Sequence, residues 1–391
     1  MKNILLPILI ILFSQSIYSQ DYNYYFGNLH SHSDYSDGNQ ERLSAYDTPA
    51  ESYEAAKEAL NLDFLGISGH NHSKARGGYK DSITMTVDRF KQGLDDAKHA
   101  TVDGEFVALY GLEWGLYSTG HILVYGTDKL INWEEDNNDI KIEKNDHFGL
   151  FKAINMNSDC FAYLAHPKKS HFSDIFNMDY SQSHAINFRK IADQAIIGMA
   201  IRNGPSHEAI YDYSYETEST YQARYKNLLS DGYHVGVGID HDNHYTNFGR
   251  ASKSRLVILA KDLTQKSILE ALRSRRFYAS DDWNAEVKFE INFNTMGSIV
   301  SSAAQPKLFL EVNDEHGDEV SEIKVYYGIS GSGDNPTVLK KFEDIDNFLF
   351  EADIEKNKEY YFYVEIIQKK EKSDKLEDHI WTSPIWYTWK E

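Results

Sequence analysis

At 391 residues the chain exceeds one average domain, and a hydrophobic content of 41% is enough for a sizeable core. Its 60 acidic and 40 basic side chains give a formal net charge of −20. That balance argues against duplex nucleic acid and anionic membrane surfaces as partners, because both need a basic footprint. One cysteine, Cys160, rules out an intramolecular disulfide and thiolate-rich zinc or iron–sulfur sites, and in "DCFAYLAHP" it reads as a buried small hydrophobe.

Lys2, the apolar run Ile4–Phe13 and a small-residue stretch ending near Ser19 have the form of a cleaved signal peptide over residues 1–19. The run is about half the roughly 20 apolar residues that a membrane span needs. No cysteine follows it to carry a lipid. The expectation is a secreted or periplasmic protein that is not a lipoprotein and has no membrane span after signal cleavage.

Residues 20–283 alternate short apolar strands with helical patterns. "YYFGNLH" reads as the first strand. A helix follows in "TPAESYEAAKEALNL", with Thr48 as N-cap, Pro49 at its first position, Glu51 closing a capping box, and Tyr53, Ala56 and Leu60 as its buried stripe. Then come strand "DFLGIS", helix "TMTVDRFKQGLDDAKHA" and strand "FVALYGLEW". "HILVYG", "DCFAYLAH", "AIIGMAIRNG", "YHVGVGI" and "SRLVILA" are further strands. The last helix, "TQKSILEALRSRRF", has Thr264 as N-cap and Ile268, Leu269 and Leu272 on its apolar face. Such alternation predicts a parallel sheet or a (β/α) barrel.

After Trp283 the pattern changes. "AEVKFEINFN" alternates strictly, with Val287, Phe289, Ile291 and Phe293 on one face. "KLFLEVND", "EIKVYYG", "FLFEADI", "EYYFYVEII" and "HIWTSPIWYTW" continue as strands, with turns at Gly317, Gly331, Gly333 and Pro336. Residues 284–391 are therefore expected to form a small all-β sandwich. Trp381, Trp386 and Trp389 are read as core or inter-domain packing.

Metal-ligand residue types gather at the strand ends. His30 and His32, at i and i+2, project to one side of the first strand's end. His70 lies just past a second strand, Glu113 at the end of another, and His166 at the end of a fourth. "GVGIDHDNH" closes a fifth with Asp240, Asp242 and His244. A core would not choose these residues, since buried charges must be paired or bound to metal. A solvated surface would not confine them to one end of the strands. In a barrel that end is one face, where active sites sit.

"HSHSDYSDG" resembles the first motif of the PHP (polymerase and histidinol phosphatase) metallophosphoesterases, "GISGHNH" the second, and "LAHP" a later one. "DHDNHYTNFG" with "ILEALRSRRFYAS" is similar to the closing segment of that family's secreted branch. The resemblance covers about Tyr25 to Trp283. It implies a distorted seven-stranded (β/α) barrel, a (β/α)7 fold, holding two or three divalent metal ions. His30, His32, Glu113 and Asp242 would hold one, and Asp37, His70 and His244 a second. Glu113, as a bridge, would join His121 and His166 around a third. A hairpin after Glu113 would return His121 to the same rim. One departure is Gly69, where the family usually carries an aspartate. Asp240 is assigned to orienting a ligand histidine through its free N–H.

Imidazole and carboxylate without thiolate suit Zn, Mn or Fe alike. Three divalent cations set against Asp37, Glu113 and Asp242 would leave the pocket net positive, which draws phosphate. The expected function is a secreted metal-dependent phosphoesterase that uses metal-bound hydroxide on a phosphomonoester or phosphodiester. His30, His32, Asp37, Glu113, Asp242 and His207 are its candidate catalytic residues, with His207 as a possible acid for the leaving group. Lys168, Arg250 and Arg255 are candidate phosphoryl contacts. The rival readings are the same site acting on an amide or lactone, and a non-catalytic glycan- or protein-binding module. No G-x-S-x-G or P-loop pattern is present. Tyr245 stands where an EF-hand would need glycine. His72 is expected beside His70, whereas His99, His147, His171, His184, His316 and His379 are expected at the surface.

Overall fold

The computed structural model describes residues 21–41, 48–72, 85–216, 220–369 and 377–391; the expected signal peptide lies outside them. In chain order, the first part contains β1 (Asn23–Asn28), α1 (Pro49–Ala56), β2 (Phe64–His70), α2 (Val87–Ala100), β3 (Val107–Leu116) and β4 (Gly120–Tyr125). Then follow β5 (Ile131–Asn132), β6 (Ile140–Lys141), α3 (His147–Asn155), β7 (Phe161–Ala165), α4 (Ser173–Phe176), α5 (Ser183–Ala195) and β8 (Ile196–Asn203). Next are α6 (Gln222–Ser230), β9 (Gly236–Asp240), β10 (Arg255–Ala260), α7 (Gln265–Arg273) and β11 (Phe277–Ser280). The chain continues with β12 (Ala285–Ile291), β13 (Asn294–Thr295), β14 (Ile299–Ser302), β15 (Lys307–Asp314) and β16 (Val320–Ile329). It closes with β17 (Thr337–Glu343), β18 (Asn347–Glu351), β19 (Glu359–Gln368), β20 (Asp378–Thr382) and β21 (Ile385–Trp389).

The expected (β/α)7 barrel followed by a separate small β-sandwich does not form. Strands make up 38% of the structure and helices 19%, and fifteen strands share one mixed sheet. Its main path runs β14-β21-β19-β20-β11-β10-β1-β2-β3-β4-β7-β8-β9, with β16 and β17 branching from β19. Two features break the expected pattern. Only Tyr117–Thr119 separates β3 from β4, too short for a parallel crossover, so the two pair antiparallel. β10 likewise lies antiparallel to both β1 and β11. The sheet does not stop at Trp283 either, because β11 pairs with β20.

A second sheet, β13-β12-β15-β18, covers one face of this path. Val287, Phe289, Ile291, Leu308 and Leu310 from that layer pack with Ile323, Val325, Phe362, Val364 and Ile366 from the large sheet. Phe26, Val257 and Tyr278, from before Trp283, join the same core. Phe293 does not extend the buried stripe. Asn292 and Phe293 both turn left-handed, and Phe293 is exposed. Trp381 and Trp386 are buried as expected.

Helix starts follow local chemistry. The Thr48, Thr86 and Thr264 side chains accept from the backbone N–H three residues on. Helix α1 ends at Ala56, so Leu60 falls beyond it and is exposed, not part of the stripe. Cys160 is half-buried against the core, not fully inside it, and burial pushes its thiol up to about 11. No helix among the described residues is long and apolar enough to cross a membrane.

These directions position the candidate site. β1, β2 and β3 run parallel, as do β7, β8 and β9, and β4 lies antiparallel to both β3 and β7. All six parallel strands therefore end at one rim, and β4 begins there. Strand β9 also packs against β10 and β11, so the sheet curls back and its two halves face each other at that rim.

Candidate metal centre

Every predicted ligand reaches this rim. His70 closes β2 in direct register with Glu113 of β3. His121 opens β4 opposite Gly115 on one side and Ala165 on the other, which puts it beside both Glu113 and His166. The loops after β1 and β9 are stitched together: Asp242 N–H donates to the His30 carbonyl (2.9 Å) and His32 N–H to the Asn243 carbonyl (2.8 Å). His166 (φ 26°) and Asp242 (φ 56°) sit in the left-handed region that non-glycine residues rarely adopt. Such strain persists where surrounding contacts over-determine it, and it clusters at functional sites.

Glu113 is the hub. It is wholly buried, and its carboxylate lies 2.7 Å from His121 Nδ1, 2.8 Å from His70 Nδ1 and 3.1 Å from His30 Nε2. His166 Nε2 stands at 3.2 Å and His32 Nε2 at 3.5 Å. Asp242 Oδ1 lies 3.2 Å from His30 Nε2, 3.1 Å from His32 Nε2 and 3.8 Å from His244 Nδ1. Asp37 faces His32 (3.2 Å), His70 (3.5 Å) and His244 (3.6 Å).

The charges are mutually sustained. Burial drives the Glu113 carboxyl up, but His121, His30 and His70 outweigh it and hold the group well below the usual carboxylate range. Burial likewise opposes ionisation of Asp242 and Asp37. His30 and His244 hold the first well down, and His70 and His244 the second. For His30, burial pulls down while Asp240, Glu113 and Asp242 raise it well above normal. His121 is pulled to about 4 by burial.

The donor set fits divalent cations. His30 Nε2 and His32 Nε2 approach to 3.2 Å while both face Asp242 Oδ1, so two ring nitrogens and a carboxylate oxygen aim at shared space. Glu113 Oε2, His70 Nδ1, His121 Nδ1 and His166 Nδ1 are buried without a hydrogen-bond partner, even where nitrogen and oxygen are close. Buried polar atoms are normally satisfied, so four orphaned atoms in one cluster call for an explanation, and a shared cation fits them. Groups able to share one ion are His30, His32, Glu113 and Asp242, and His32, Asp37, His70 and His244. The first is the expected set, and the second adds His32 to the expected one. The third expected set regroups: His121 joins His70 and Glu113, while His166 joins His30 and Asp240. Its members still meet through Glu113 Oε1, which touches both His121 and His166.

Asp240 takes the orienting role expected of it. One carboxylate oxygen binds His30 Nδ1, and the other accepts the His166 backbone N–H at 2.8 Å. Supports that the sequence reading missed include Asn28, whose amide donates to the His30 carbonyl (2.7 Å) and Ser31 Oγ (2.8 Å), and Ser206, whose hydroxyl donates to Asp242 Oδ2 (2.9 Å). Asn28 is invisible to motif reasoning because a strand-end amide is common. Its burial distinguishes it, and only the fold reveals that. Gly69 explains the family departure. A Cβ there would meet Ser36 Oγ at 2.9 Å and Met85 Cε at 3.0 Å, so a larger residue would have to displace these two side chains.

Several expectations are corrected. Arg255 is wholly buried and donates to five backbone carbonyls, so it is a framework residue and no phosphoryl contact. Arg250 is committed to Glu58 (3.1 Å) and the Thr246 carbonyl. Lys168 Nζ is held by the Tyr117 hydroxyl at 2.7 Å, two residues beyond His166. His207 stacks on His244 with ring centroids 3.8 Å apart, on the solvent side of the cluster. His72 lies against His70 and Trp133, and burial followed by His70 pulls it to about 4. His147 and His171 are buried, not superficial. His147 bonds Asp174 (2.7 Å), and His171 packs edge-on to His166. His379 is half-buried on Glu365 and Trp381. His99, His184 and His316 are exposed as expected.

Gly38 closes the loop that carries His32 and Asp37. A Cβ there would lie well inside contact distance of the His32 backbone carbonyl. Glycine is used where backbone approaches backbone this closely. Gly38→Ala is expected to displace His32 and weaken the affinity of the cluster for added divalent cation about tenfold or more, roughly 1.4 kcal/mol or greater. Metal titration of the folded variant against the wild type checks this.

No family model matches the chain, and no curated protein matches it.

Proposed function

We propose that this protein is an exported, metal-dependent phosphoric ester hydrolase acting on phosphomonoesters or phosphodiesters. One observation carries the reading: a wholly buried glutamate, Glu113, within 3.5 Å of five histidines drawn from four strand ends, with Asp37 and Asp242 beside it. The motifs that resemble the PHP family contribute His30, His32, Asp37, His70, His166 and Asp242, while Glu113 and His121 lie outside them. The family's barrel is not the observed fold, so the proposal stands on the ligand cluster.

When bound, divalent cations of the Zn, Mn or Fe class supply Lewis acidity and lower the pKa of a nearby water. The chain's own groups do the rest. Asp240 fixes the His30 ring through Nδ1, so Nε2 faces the cluster. Ser206 holds the Asp242 carboxylate through Oδ2, leaving Oδ1 toward His30 and His32. Burial keeps bulk water away from all but the open side, where His207 stands. Burial and then His244 lower its pKa, so it is the protonated fraction of His207 that can pass a proton to a departing alkoxide there.

Purified protein supplied with Zn, Mn or Fe should turn over members of a panel of phosphomonoesters and phosphodiesters. His207→Ala should slow substrates with poor leaving groups about 10²-fold while sparing activated aryl esters. Metal-loaded, folded protein that hydrolyses no phosphoester, or that cleaves only amides or lactones in the same panel, would overturn the proposal.

A further inference from the structure

A second group of carboxylates lies away from the histidines, where the two sheets join. Asp282 sits between β11 of the large sheet and β12 of the smaller one, Asp314 ends β15, and Asp318 lies in the turn before β16. One carboxylate oxygen from each comes within 4.8 Å of the others. Acidic clusters at a surface are ordinary; in this one Asp314 and Asp318 are half-buried but Asp282 is not at the surface. Asp282 is 3% exposed, and its Oδ2 is buried with no hydrogen-bond donor. Gln368, at the end of β19, is wholly buried with its Oε1 equally unpartnered, while its Nε2 donates to Asp314 Oδ2 at 2.8 Å.

The donors that reach Asp314 are neutral: the Asp282 carboxyl when it holds a proton, the Asn284 and Gln368 amides, and the backbone N–H groups of His316 and Gly317. They orient its carboxylate without cancelling its charge. Burial, then Asp314, pushes Asp282 up to about 8, and burial holds neighbouring Asp281 at about 6 despite its Arg202 partner. A buried carboxylate facing two others needs either a proton or a cation between them.

We propose that Asp282, Asp314 and Asp318 hold one calcium ion that clamps the smaller sheet to the large one. An all-oxygen set with no imidazole within it selects a hard cation, and calcium tolerates irregular coordination completed by amide oxygens and water. Asp314 ends β15 of the smaller sheet, Asp282 leads from β11 of the large sheet into β12, and Asp318 leads into β16 of the large sheet, so the ion would tie both layers. Its effect is on stability and not on turnover.

The full chain, its histidine centre preloaded with zinc, is titrated with calcium alone. At about 1 mM calcium the melting temperature should rise by about 3–5 °C. Terbium should show emission sensitised by Trp283, the residue after Asp282, and calcium should displace it. Asp282→Asn, isosteric with the protonated acid, should fold yet lose both responses. Asp318→Asn, at the more open edge, should lose them too. His244→Ala should keep both. No calcium response in the wild-type chain would overturn the inference, as would an undiminished response in Asp282→Asn. Equal stability of wild type and Asp282→Asn in saturating calcium would assign the gap to a shared proton instead.

Discussion

Glu113→Gln should abolish phosphoester turnover, with a loss of at least about 10³-fold, or roughly 4 kcal/mol of barrier. The substitution keeps the shape of the side chain and removes its charge. Five imidazoles lie within 3.5 Å of that carboxylate. An amide offers them a hydrogen donor where a cation needs an anionic bridge, so at least one bound metal per chain should be lost along with activity. Elemental analysis, thermal melting and a rate assay on the same preparation separate the outcomes. Folded protein with its metal and its rate intact would remove Glu113 from the centre. Asp240→Asn should be milder, because it loosens the His30 ring that Asp240 holds through Nδ1; losing such an orienting partner costs about 10–100-fold.

Arg255 carries the other large effect, and it is on stability. Its guanidinium donates to the carbonyls of Leu60 (2.8 Å), Asn61 (3.0 Å), Gly249 (2.9 Å), Ser252 (2.9 Å) and Ser254 (2.8 Å). Burial pulls its pKa down to about 10, so it stays charged near neutrality. Removing it would strip donors from five carbonyls across two loops, of which those of Gly249 and Ser252 are buried and that of Ser254 keeps His241. Arg255→Met is expected to cost about 4 kcal/mol or more, a fall in melting temperature of about 5–10 °C. Arg255→Lys should recover little, since an ammonium has three donors and lacks the planar fork. Unchanged melting with a raised KM for phosphoester would instead restore Arg255 as a substrate contact.

Arg255 also illustrates the limit of reading side chains by type. An arginine shortly after a ligand motif has the chemistry to bind phosphate, and nothing local distinguishes it from one that binds carbonyls. Only the loops folded over it, from residues nearly 200 positions earlier, use up its donors. The buried His147 and His171 were misjudged for the same reason. Their partners, Asp174 in the short helix α4 and His166 just after β7, are brought to them by packing that has no sequence period.

The ligands themselves were legible in the amino-acid order. Histidines and acids recurring at strand ends are costly in any setting except one that neutralises them, and that argument needs no fold. Helix starts at Thr48 and Thr264 and the change of pattern near Trp283 are local too, because hydroxyl caps and alternation act within a few residues. Tertiary structure alone decided which strands became neighbours and in which direction. A strand shows the same side-chain alternation whether its neighbour runs parallel or antiparallel. Thus β10 could turn back along β1, and β20 could extend the sheet through β11, with no trace in the composition of either strand. The same non-local pairing determined that His121 and His166 meet at one glutamate oxygen, a coincidence in space that linear spacing cannot express.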